Sequence, residues 1–228
     1  MLVDSAATQA LDPPALFVVG AGPGVGGATA RRFGREGWRV GLVARDAARL
    51  DALAQDVRAA GVTVASEAAD IQDAAVLQRA LRRLTDTLGA PTAVCFSPLP
   101  DVERIKPVVE TTPADLAASL QLSLVGAAAT VAAVLPVMRQ RRNGTLLFTT
   151  GSGALRPSAE RAASAVTTTA QTVYIRLLRE ALAPEGVHVA HIAIAGAVGY
   201  GQRHEPDAIA EQLWQSAHHL DRGFVALE

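Results

Sequence analysis

The feature that most constrains this chain is a glycine-rich turn, Gly20–Gly26, which contains four glycines in seven residues. An apolar segment that predicts a strand, Leu16–Val19, precedes the turn, and a segment that predicts a helix, Thr29–Glu36, follows it. Glycines let a backbone adopt positive φ and approach an anion closely, and a helix N-terminus directs free N–H groups at that anion. The order strand, glycine turn, helix therefore predicts a site for the pyrophosphate of a dinucleotide.

Predicted strands and helices alternate over the rest of the chain. The strands after the turn are Arg39–Ala44, Val62–Ala65, Thr92–Phe96, Thr145–Thr149, Val187–Ala193 and Phe224–Leu227. The helices are Ala47–Ala60, Ala74–Leu88, Pro113–Arg139 (a short helix and then a long one), Glu160–Leu182 and Pro206–His218. This alternation is typical of an α/β fold in which a doubly wound parallel sheet, Rossmann-type, lies between two layers of helices. We expect one such domain over residues 15–228, with residues 1–14 forming a flexible leader.

Composition argues against several kinds of partner and compartment. The formal net charge of −1 provides no general attraction to nucleic acid or to an anionic membrane. The only cysteine, Cys95, lies in an apolar run and is expected to be a buried strand residue. Because no intrachain disulfide can form, and because residues 1–15 lack the pattern of a secretory signal, a cytoplasmic location is expected.

A membrane span and a metal site are also not predicted. The longest apolar run, near Leu122–Met138, is interrupted by Ser123 and Pro136, so we interpret it as a buried helix. His188 and His191 lie three residues apart on a predicted strand, which directs their side chains to opposite faces and keeps them from sharing a metal ion.

The residue after the second strand bears on which dinucleotide is bound. In NAD-binding turns a carboxylate about 20 residues past the glycines binds the ribose hydroxyls, but the corresponding position here is Ala44, followed by Arg45. A guanidinium suits the 2′-phosphate of NADP, so NADP is the predicted cofactor and NAD the alternative. Asp46 would weaken this preference by neutralising Arg45, and Arg45 as an ordinary surface residue is the competing interpretation.

Over roughly residues 15–200 the sequence resembles the short-chain dehydrogenase/reductase family. The resemblance is carried by Gly20, Gly24 and Gly26, by Asp70 after the third strand, and by the Ala195-Gly196 turn after the sixth. It implies a nicotinamide cofactor bound by Gly20, Gly22, Gly24, Val25, Gly26, Arg45, Asp70, Ile71, Ser97 and Gly196.

The catalytic residues of that family are missing. Its members use a Tyr as acid and base, a Lys four residues later that lowers the pKa of the Tyr, a Ser that polarises the carbonyl, and an Asn that supports the Lys. The chain contains no Tyr-x-x-x-Lys; its tyrosines are Tyr174 and Tyr200 and its one lysine is Lys106. The four positions, in the order just given, hold Ser164, Thr168, Gly151 and Ser123.

A serine hydroxyl has a far higher pKa than a phenol, so the ordinary acid–base chemistry of the family is absent. Two replacements are considered. Tyr200 lies in the loop after the sixth strand, which passes the nicotinamide in the family, although a lid or packing role is the alternative. Ser152, with Thr150, is expected to bind a substrate oxygen, with capping of its loop as the alternative. Tyr174 is expected to lie in the core or at a subunit interface.

Three functional hypotheses follow. The favoured one is an NADP-dependent oxidoreductase that acts on a small carbonyl or alcohol by atypical or substrate-assisted chemistry. The second is a nucleotide-binding regulatory protein without catalysis, and the third is a non-redox enzyme, such as a cyclase or isomerase. The resemblance also implies a homodimer or homotetramer built through the helices of Thr112–Arg139 and Glu160–Leu182.

Overall fold

A computed structural model describes residues 12–228. Seven parallel strands form one sheet in the order β3-β2-β1-β4-β5-β6-β7. The strands are β1 Ala15–Val19, β2 Arg39–Ala44, β3 Val64–Ala68, β4 Ala93–Phe96, β5 Gly144–Gly151, β6 Val187–Ile194 and β7 Phe224–Leu227. The helices are α1 Val25–Gly34, α2 Ala47–Ala59, α3 Ala74–Leu88, α4 Pro113–Leu120, α5 Gly126–Arg141, α6 Ala162–Leu182 and α7 Pro206–His218.

The helices cover both faces of the sheet. On one face, apolar side chains of α3, α5 and α6 pack with Phe17, Phe96 and Phe148 of the sheet. On the other, α1, α2 and α7 pack with strand residues such as Leu42 and Ile192. This is the doubly wound, three-layer arrangement that the alternation of elements predicts, and the predicted fold class is confirmed.

Strand order places the candidate site. The chain runs outward from β1 through β2 to β3, then returns to β4 on the other side of β1. In an open parallel sheet, such a reversal leaves a crevice at the carboxyl ends of the two central strands, where ligands bind. The glycine-rich turn leaves β1 at this edge, and the loops after β4, β5 and β6 begin at the same edge.

Most element bounds agree with the predicted ones to within two residues, and two elements, α1 and β3, differ by three or more residues at one end. α1 begins at Val25 rather than Thr29, because Gly26 and Gly27 lie inside its first turn despite their low helix propensity. β3 lies at Val64–Ala68 rather than two residues earlier, since Val62 leaves the sheet to pack against Gly34 of α1. In both places packing against a distant element overrides the local preference.

The leader prediction falls largely on residues 1–11, which lie outside the described residues. Where the description begins, the chain is already attached to the sheet. The Arg39 guanidinium donates two hydrogen bonds to the Pro13 carbonyl, with Nε at 3.0 Å and Nη2 at 2.7 Å, just before β1 starts at Ala15.

α4, a π-helical turn over Gln121–Val125, and α5 form one helical stretch, Pro113–Arg141. By length and composition alone, this stretch is apolar enough to cross a membrane. Its inner side packs on the sheet through Ala127, Val131 and Met138, as the buried-helix interpretation requires. The outer side, however, is left uncovered in the single chain, since only 28% of the most apolar window is buried.

Candidate cofactor and substrate site

Gly20 shapes the start of the glycine-rich turn. Its φ is +84°, a conformation that residues with a Cβ rarely adopt. A Cβ at this position would also lie 2.5 Å from the Pro98 Cα, because the loop after β4 packs directly against it. The N–H groups of Gly20 and Ala21 both donate to the Val43 carbonyl, at 3.0 and 2.9 Å, and so attach the turn to β2.

Gly22 and Gly24 play a different part. Neither has a positive φ, and a Cβ at either position would meet no atom within 4 Å. No packing contact therefore requires glycine at either position, and the missing side chains leave the backbone open to a ligand. At Gly26, by contrast, a Cβ would lie 3.1 Å from the Ala21 Cα, so α1 packs closely on the turn. Open space between two constrained glycines fits a bound pyrophosphate.

The N-terminus of α1 adds a favourable site for negative charge. α1 begins after Gly24 without a side-chain cap, and its first turn, which starts at Val25, contains no acidic residue. The Gly27 N–H donates to the Gly22 carbonyl at 2.7 Å and closes the turn beneath it. Uncapped N–H groups and the positive end of the helix dipole stabilise an anion placed there.

Arg45 follows β2 at the same edge of the sheet and is exposed. Its neighbour Asp46 does not neutralise it. The Asp46 carboxylate accepts a hydrogen bond from the Arg49 N–H at 3.1 Å, which caps α2, and pairs with the Arg49 guanidinium at 3.3 Å. Within residues 12–228, Arg45 has no ion pair. Its guanidinium is therefore available to an anionic ligand.

Asp70 and Ile71 follow β3 and face different environments. Asp70 is exposed, and its Oδ1 accepts a hydrogen bond from the Gln72 N–H at 2.9 Å, which fixes the turn. Ile71 is buried and packs so closely on α5 that a Cβ at Gly126 would lie 2.8 Å from its Cγ2. The Asp70 carboxylate can reach a ligand, whereas Ile71 can offer only its backbone.

Ser97, Gly151 and Gly196 come together at the carboxyl ends of β4, β5 and β6. The Ser97 N–H donates to the Val19 carbonyl at 2.9 Å, and its hydroxyl accepts from Thr149 Oγ1 at 2.7 Å. Gly151 is paired in register with the last residue of β6, two residues before Gly196. The structure therefore places these predicted site residues along one edge.

The positions of the absent Tyr and Lys, Ser164 and Thr168, lie in the first two turns of α6. Thr168 is buried, and its hydroxyl donates to the Ser164 carbonyl at 2.7 Å. Gly153, in the turn after β5, packs against both. A Cβ on Gly153 would lie 2.5 Å from Thr168 Oγ1 and 2.8 Å from the Ser164 carbonyl oxygen. Backbone thus occupies the space above Thr168.

The two remaining catalytic positions are less crowded. A Cβ at Gly151 would meet nothing within 4 Å. Ser123 lies in the π-helical turn between α4 and α5, a form of helix that often marks functional sites. Ser152 is half-buried in a 3-10 turn whose backbone is held by hydrogen bonds from Leu155 and Arg156 to its carbonyl, at 2.9 and 2.8 Å. Among the described residues its hydroxyl has no hydrogen-bond partner, so it remains available to a ligand.

Tyr200 is hydrogen-bonded to helix α1. Its hydroxyl accepts a hydrogen bond from Arg31 Nη2 of α1 at 3.2 Å, and the side chain is 60% exposed. Arg31 also pairs with Asp56 of α2 at 2.8 Å. The loop after β6 therefore reaches α1. Its other end is held by His204, whose Nε2 lies 3.1 Å from the Ala195 carbonyl oxygen.

The structure contains a buried polar pair that was not predicted from the sequence. Thr150 Oγ1 and His191 Nε2 lie 2.8 Å apart, and both residues are buried. Burial lowers the pKa of His191 to about 4, with the Arg179 charge as the second cause, so the imidazole is neutral near pH 7. The alternation of side chains in β6 was the available signal, since it directs His191 to the face that α6 covers.

The other titratable candidates have structural roles. His188 points to the opposite face, where its Nε2 lies 2.8 Å from the Ser216 carbonyl oxygen. Over residues 12–228 no group of three or more His, Cys, Asp or Glu side chains is arranged to hold a metal ion. Cys95 is buried in β4, and this burial raises the pKa of its thiol to about 12, so it is no nucleophile near pH 7.

Solved structures share this fold. The NADPH-bound short chain oxidoreductase of Pseudomonas aeruginosa PAO1, described as containing an atypical catalytic center, superposes with a TM-score of 0.87 at 20% identity. The superposition covers 94% of this chain and 95% of that one. At this identity the likeness supports the fold.

Sequence relatives establish the family. A family model described as short chain dehydrogenase matches residues 14–199. An uncharacterized oxidoreductase of Myxococcus xanthus is 30% identical over 183 residues, covering 76% of this chain and 68% of that protein. The 3-dehydrosphinganine reductase TSC10A of Arabidopsis thaliana is 30% identical over 128 residues, covering 56% of this chain but 37% of that reductase. With a family match over most of its length and a seven-stranded parallel sheet, the chain belongs to the short-chain dehydrogenase family.

Proposed function

We propose that this chain binds NADP(H) and acts as an oxidoreductase on a carbonyl or alcohol, by chemistry that does not use a Tyr–Lys pair. The observation that carries the proposal is the open backbone at Gly22 and Gly24, together with an exposed Arg45 that makes no ion pair with any residue of 12–228. The NADPH-bound neighbour of P. aeruginosa supports it, since that protein is described as combining this cofactor with an atypical catalytic center.

Each part of the cleft has a distinct partner on the cofactor. The N–H groups at the start of α1, with the open backbone of Gly22 and Gly24, would hold the pyrophosphate. Arg45 would bind the 2′-phosphate, and Asp70 would accept a hydrogen bond at the adenine end. The ends of β4 and β6, at Ser97 and Gly196, would border the nicotinamide. When bound, the cofactor supplies or accepts a hydride.

In this proposal the protein orients and binds the substrate. The Ser152 hydroxyl is positioned at the end of β5 to donate a hydrogen bond to a substrate oxygen. The positions of the family's acid hold neither a phenol nor an ammonium, so the proton must come from solvent, from the substrate or from another side chain. To donate that proton, the Tyr200 hydroxyl would first have to break its hydrogen bond with Arg31.

Calorimetric titration with NADPH and NADH tests the cofactor proposal. We expect NADPH to bind more tightly. A hydride-transfer screen with NADPH deuterated at C4, using ketones and aldehydes, then tests the redox proposal by detecting deuterium in the alcohol product. Equal affinity for the two cofactors would contradict the role of Arg45, and tight binding without any transfer would contradict the reaction.

A second candidate function is a nucleotide-binding regulatory protein. The contact of Gly153 with Thr168 favours it, because backbone fills part of the volume that a catalytic Lys would need. The same two measurements separate the candidates, since a regulator binds NADPH and transfers no hydride.

A homodimer or homotetramer and a cytoplasmic location are also proposed. Val125 in the π-helical turn and Val166, Val173 and Leu177 on α6 are about half exposed in the single chain. Such an uncovered apolar surface favours association of two copies. Light scattering should return a mass of at least twice 23.6 kDa at micromolar concentration, and a monomer would contradict the proposal.

A further inference from the structure

The loop between β4 and α4 presents four aliphatic side chains to solvent. Their exposed fractions are 85% for Leu99, 67% for Val102, 57% for Val108 and 90% for Val109. Single exposed aliphatic residues are ordinary, but several on one short segment form a patch of the kind that binds an apolar partner. We call these four residues the apolar rim.

The apolar rim borders the proposed site at both of its ends. At one end, Pro98 packs on Gly20 of the glycine-rich turn. At the other, the Val108 N–H donates to the Ala159 carbonyl at 2.7 Å, just before α6 begins. The loop therefore runs from the cofactor end of the cleft to the helix that carries Ser164.

Ion pairs attach this loop to α4, so its aliphatic side chains are exposed on a segment that is held in place. Asp115 at the start of α4 is buried and pairs with Arg104 at 3.3 Å and with Lys106 at 3.2 Å. Hydrogen bonds from Thr112 and the Lys106 charge lower the pKa of Asp115 to about 2, so the carboxylate is ionised near pH 7. The chain's single lysine is thus used to attach the loop to α4.

The same ion pairs decide which substrates the loop favours. Arg104 is shared between Asp101 and Asp115, and Lys106 is bound to Asp115, so both cations of the loop already have carboxylate partners. Glu103 and Glu110 are exposed on the same loop. A carboxylate or phosphate on the substrate would therefore meet no free cation of the loop itself. The exposed Arg161 lies beyond the α6 end of the loop, whereas Leu99 and Val102, toward the β4 end, offer aliphatic surface to an uncharged apolar chain.

From this arrangement we infer that the substrate is an uncharged carbonyl or alcohol with an apolar chain of several carbons, which packs on the apolar rim while its oxygen faces Ser152. The inference rests on the proposed function for the position of the oxygen. The preference for an apolar chain rests on the rim itself and does not require turnover.

The test measures the affinities of 2-pentanone, 2-heptanone and 2-nonanone. Binding is detected by ligand-observed NMR, with and without saturating NADPH. Burial of each added methylene should tighten binding about threefold to fourfold. The double variant Leu99→Ser with Val102→Ser should remove most of this dependence on chain length. Leu220→Ser, a change at another exposed leucine (74%) beyond α7, should leave it unchanged.

Several results would overturn the inference. They are affinity that does not rise with chain length, a dependence that survives in the double variant, or tighter binding of octanoate than of 2-octanone. Conversion of an oligomer to a monomer by the double variant, with the chain-length dependence intact, would instead make the rim a subunit interface. If the native protein does not bind NADPH but its affinity for ketones still rises with chain length, the proposed function is contradicted and the inferred preference for an apolar chain stands.

Discussion

The glycine-rich turn and the start of α6 border the same cleft, yet they differ in how the space around them is used. At Gly22 and Gly24 the absent side chains leave open volume beside an uncapped helix end. At Ser164 and Thr168 the absent side chains are replaced by the backbone of Gly153. The cofactor end has therefore kept room for a ligand, while the catalytic end has closed over its missing groups.

The strongest test of this difference is an attempt to restore the missing pair. Loss of a general acid typically costs on the order of 10²–10⁴ in rate, so the native protein should reduce simple ketones far below one turnover per second. Ser164→Tyr with Thr168→Lys should not recover this rate, because the lysine chain meets Gly153. Overpacking of this kind typically costs about 1–3 kcal/mol, which thermal unfolding would detect.

Gly151→Ser is the matched control for that experiment. A Cβ at this position meets nothing within 4 Å, so the variant should unfold at the temperature of the native protein. If the unmodified chain reduces ketones at about one turnover per second, other residues must supply the acid chemistry of the missing Tyr–Lys pair.

At the cofactor end, a side chain placed in the open volume should abolish binding without harming the fold. Gly22→Asp adds both bulk and negative charge where we expect the pyrophosphate, and NADPH affinity should fall on the order of 100-fold, about 2.7 kcal/mol. The unfolding temperature should change little, since a Cβ there touches nothing. Unchanged affinity, measured by calorimetry, would place the cofactor elsewhere.

Beneath the catalytic end, the buried His191 should give stability a pH dependence. Its pKa is lowered from 6.5 to about 4, so the unfolded chain takes up a proton before the folded one as pH falls. The stabilising effect is present above pH 6.5 and decreases below it. Between pH 7 and pH 5 the loss should be about 2 kcal/mol. Urea unfolding of His191→Gln should lack this part of the pH dependence, and an identical profile in both proteins would contradict the burial argument.

Arg45 decides between two similar cofactors, so a smaller effect is expected. Arg45→Ala should weaken NADPH binding about tenfold, the size expected when one charge-assisted hydrogen bond is lost. NADH affinity should stay nearly constant. Arg49→Ala is the neighbouring control, because Arg49 pairs with Asp46. A fall in affinity for both cofactors would indicate that Arg45 supports the turn rather than the 2′-phosphate.

The smallest structural effect is expected at Tyr200. Its hydroxyl makes one exposed hydrogen bond to Arg31, so Tyr200→Phe should change stability by less than about 1 kcal/mol. This variant also tests the earlier hypothesis that Tyr200 is the proton donor. If it is, any hydride transfer found in the screen should slow at least 100-fold, on the order expected for loss of a general acid.

Local patterns were enough to predict the layers of this fold and the edge of the sheet along which the predicted cofactor-site residues lie. The alternation of apolar strands with helices and the strand–glycine–helix order depend on neighbours in sequence, so α1, β2 and Arg45 were placed correctly to within a few residues. The contacts that decide the catalytic end join distant residues. Gly153 with Thr168, Thr150 with His191 and Arg31 with Tyr200 lie on different elements, and no local pattern predicts such pairs.

The sequence by itself determined that the chain lacks a Tyr-x-x-x-Lys motif and that its acid position holds a serine, because residue identity needs no structure. It also determined the parallel α/β sheet, since the period of the apolar residues fixes strand and helix. Only the tertiary structure decided which glycines leave open volume for a ligand and which allow another element to pack closely against them. A glycine's role depends on what packs against its missing Cβ, and that is set by elements far away in the chain.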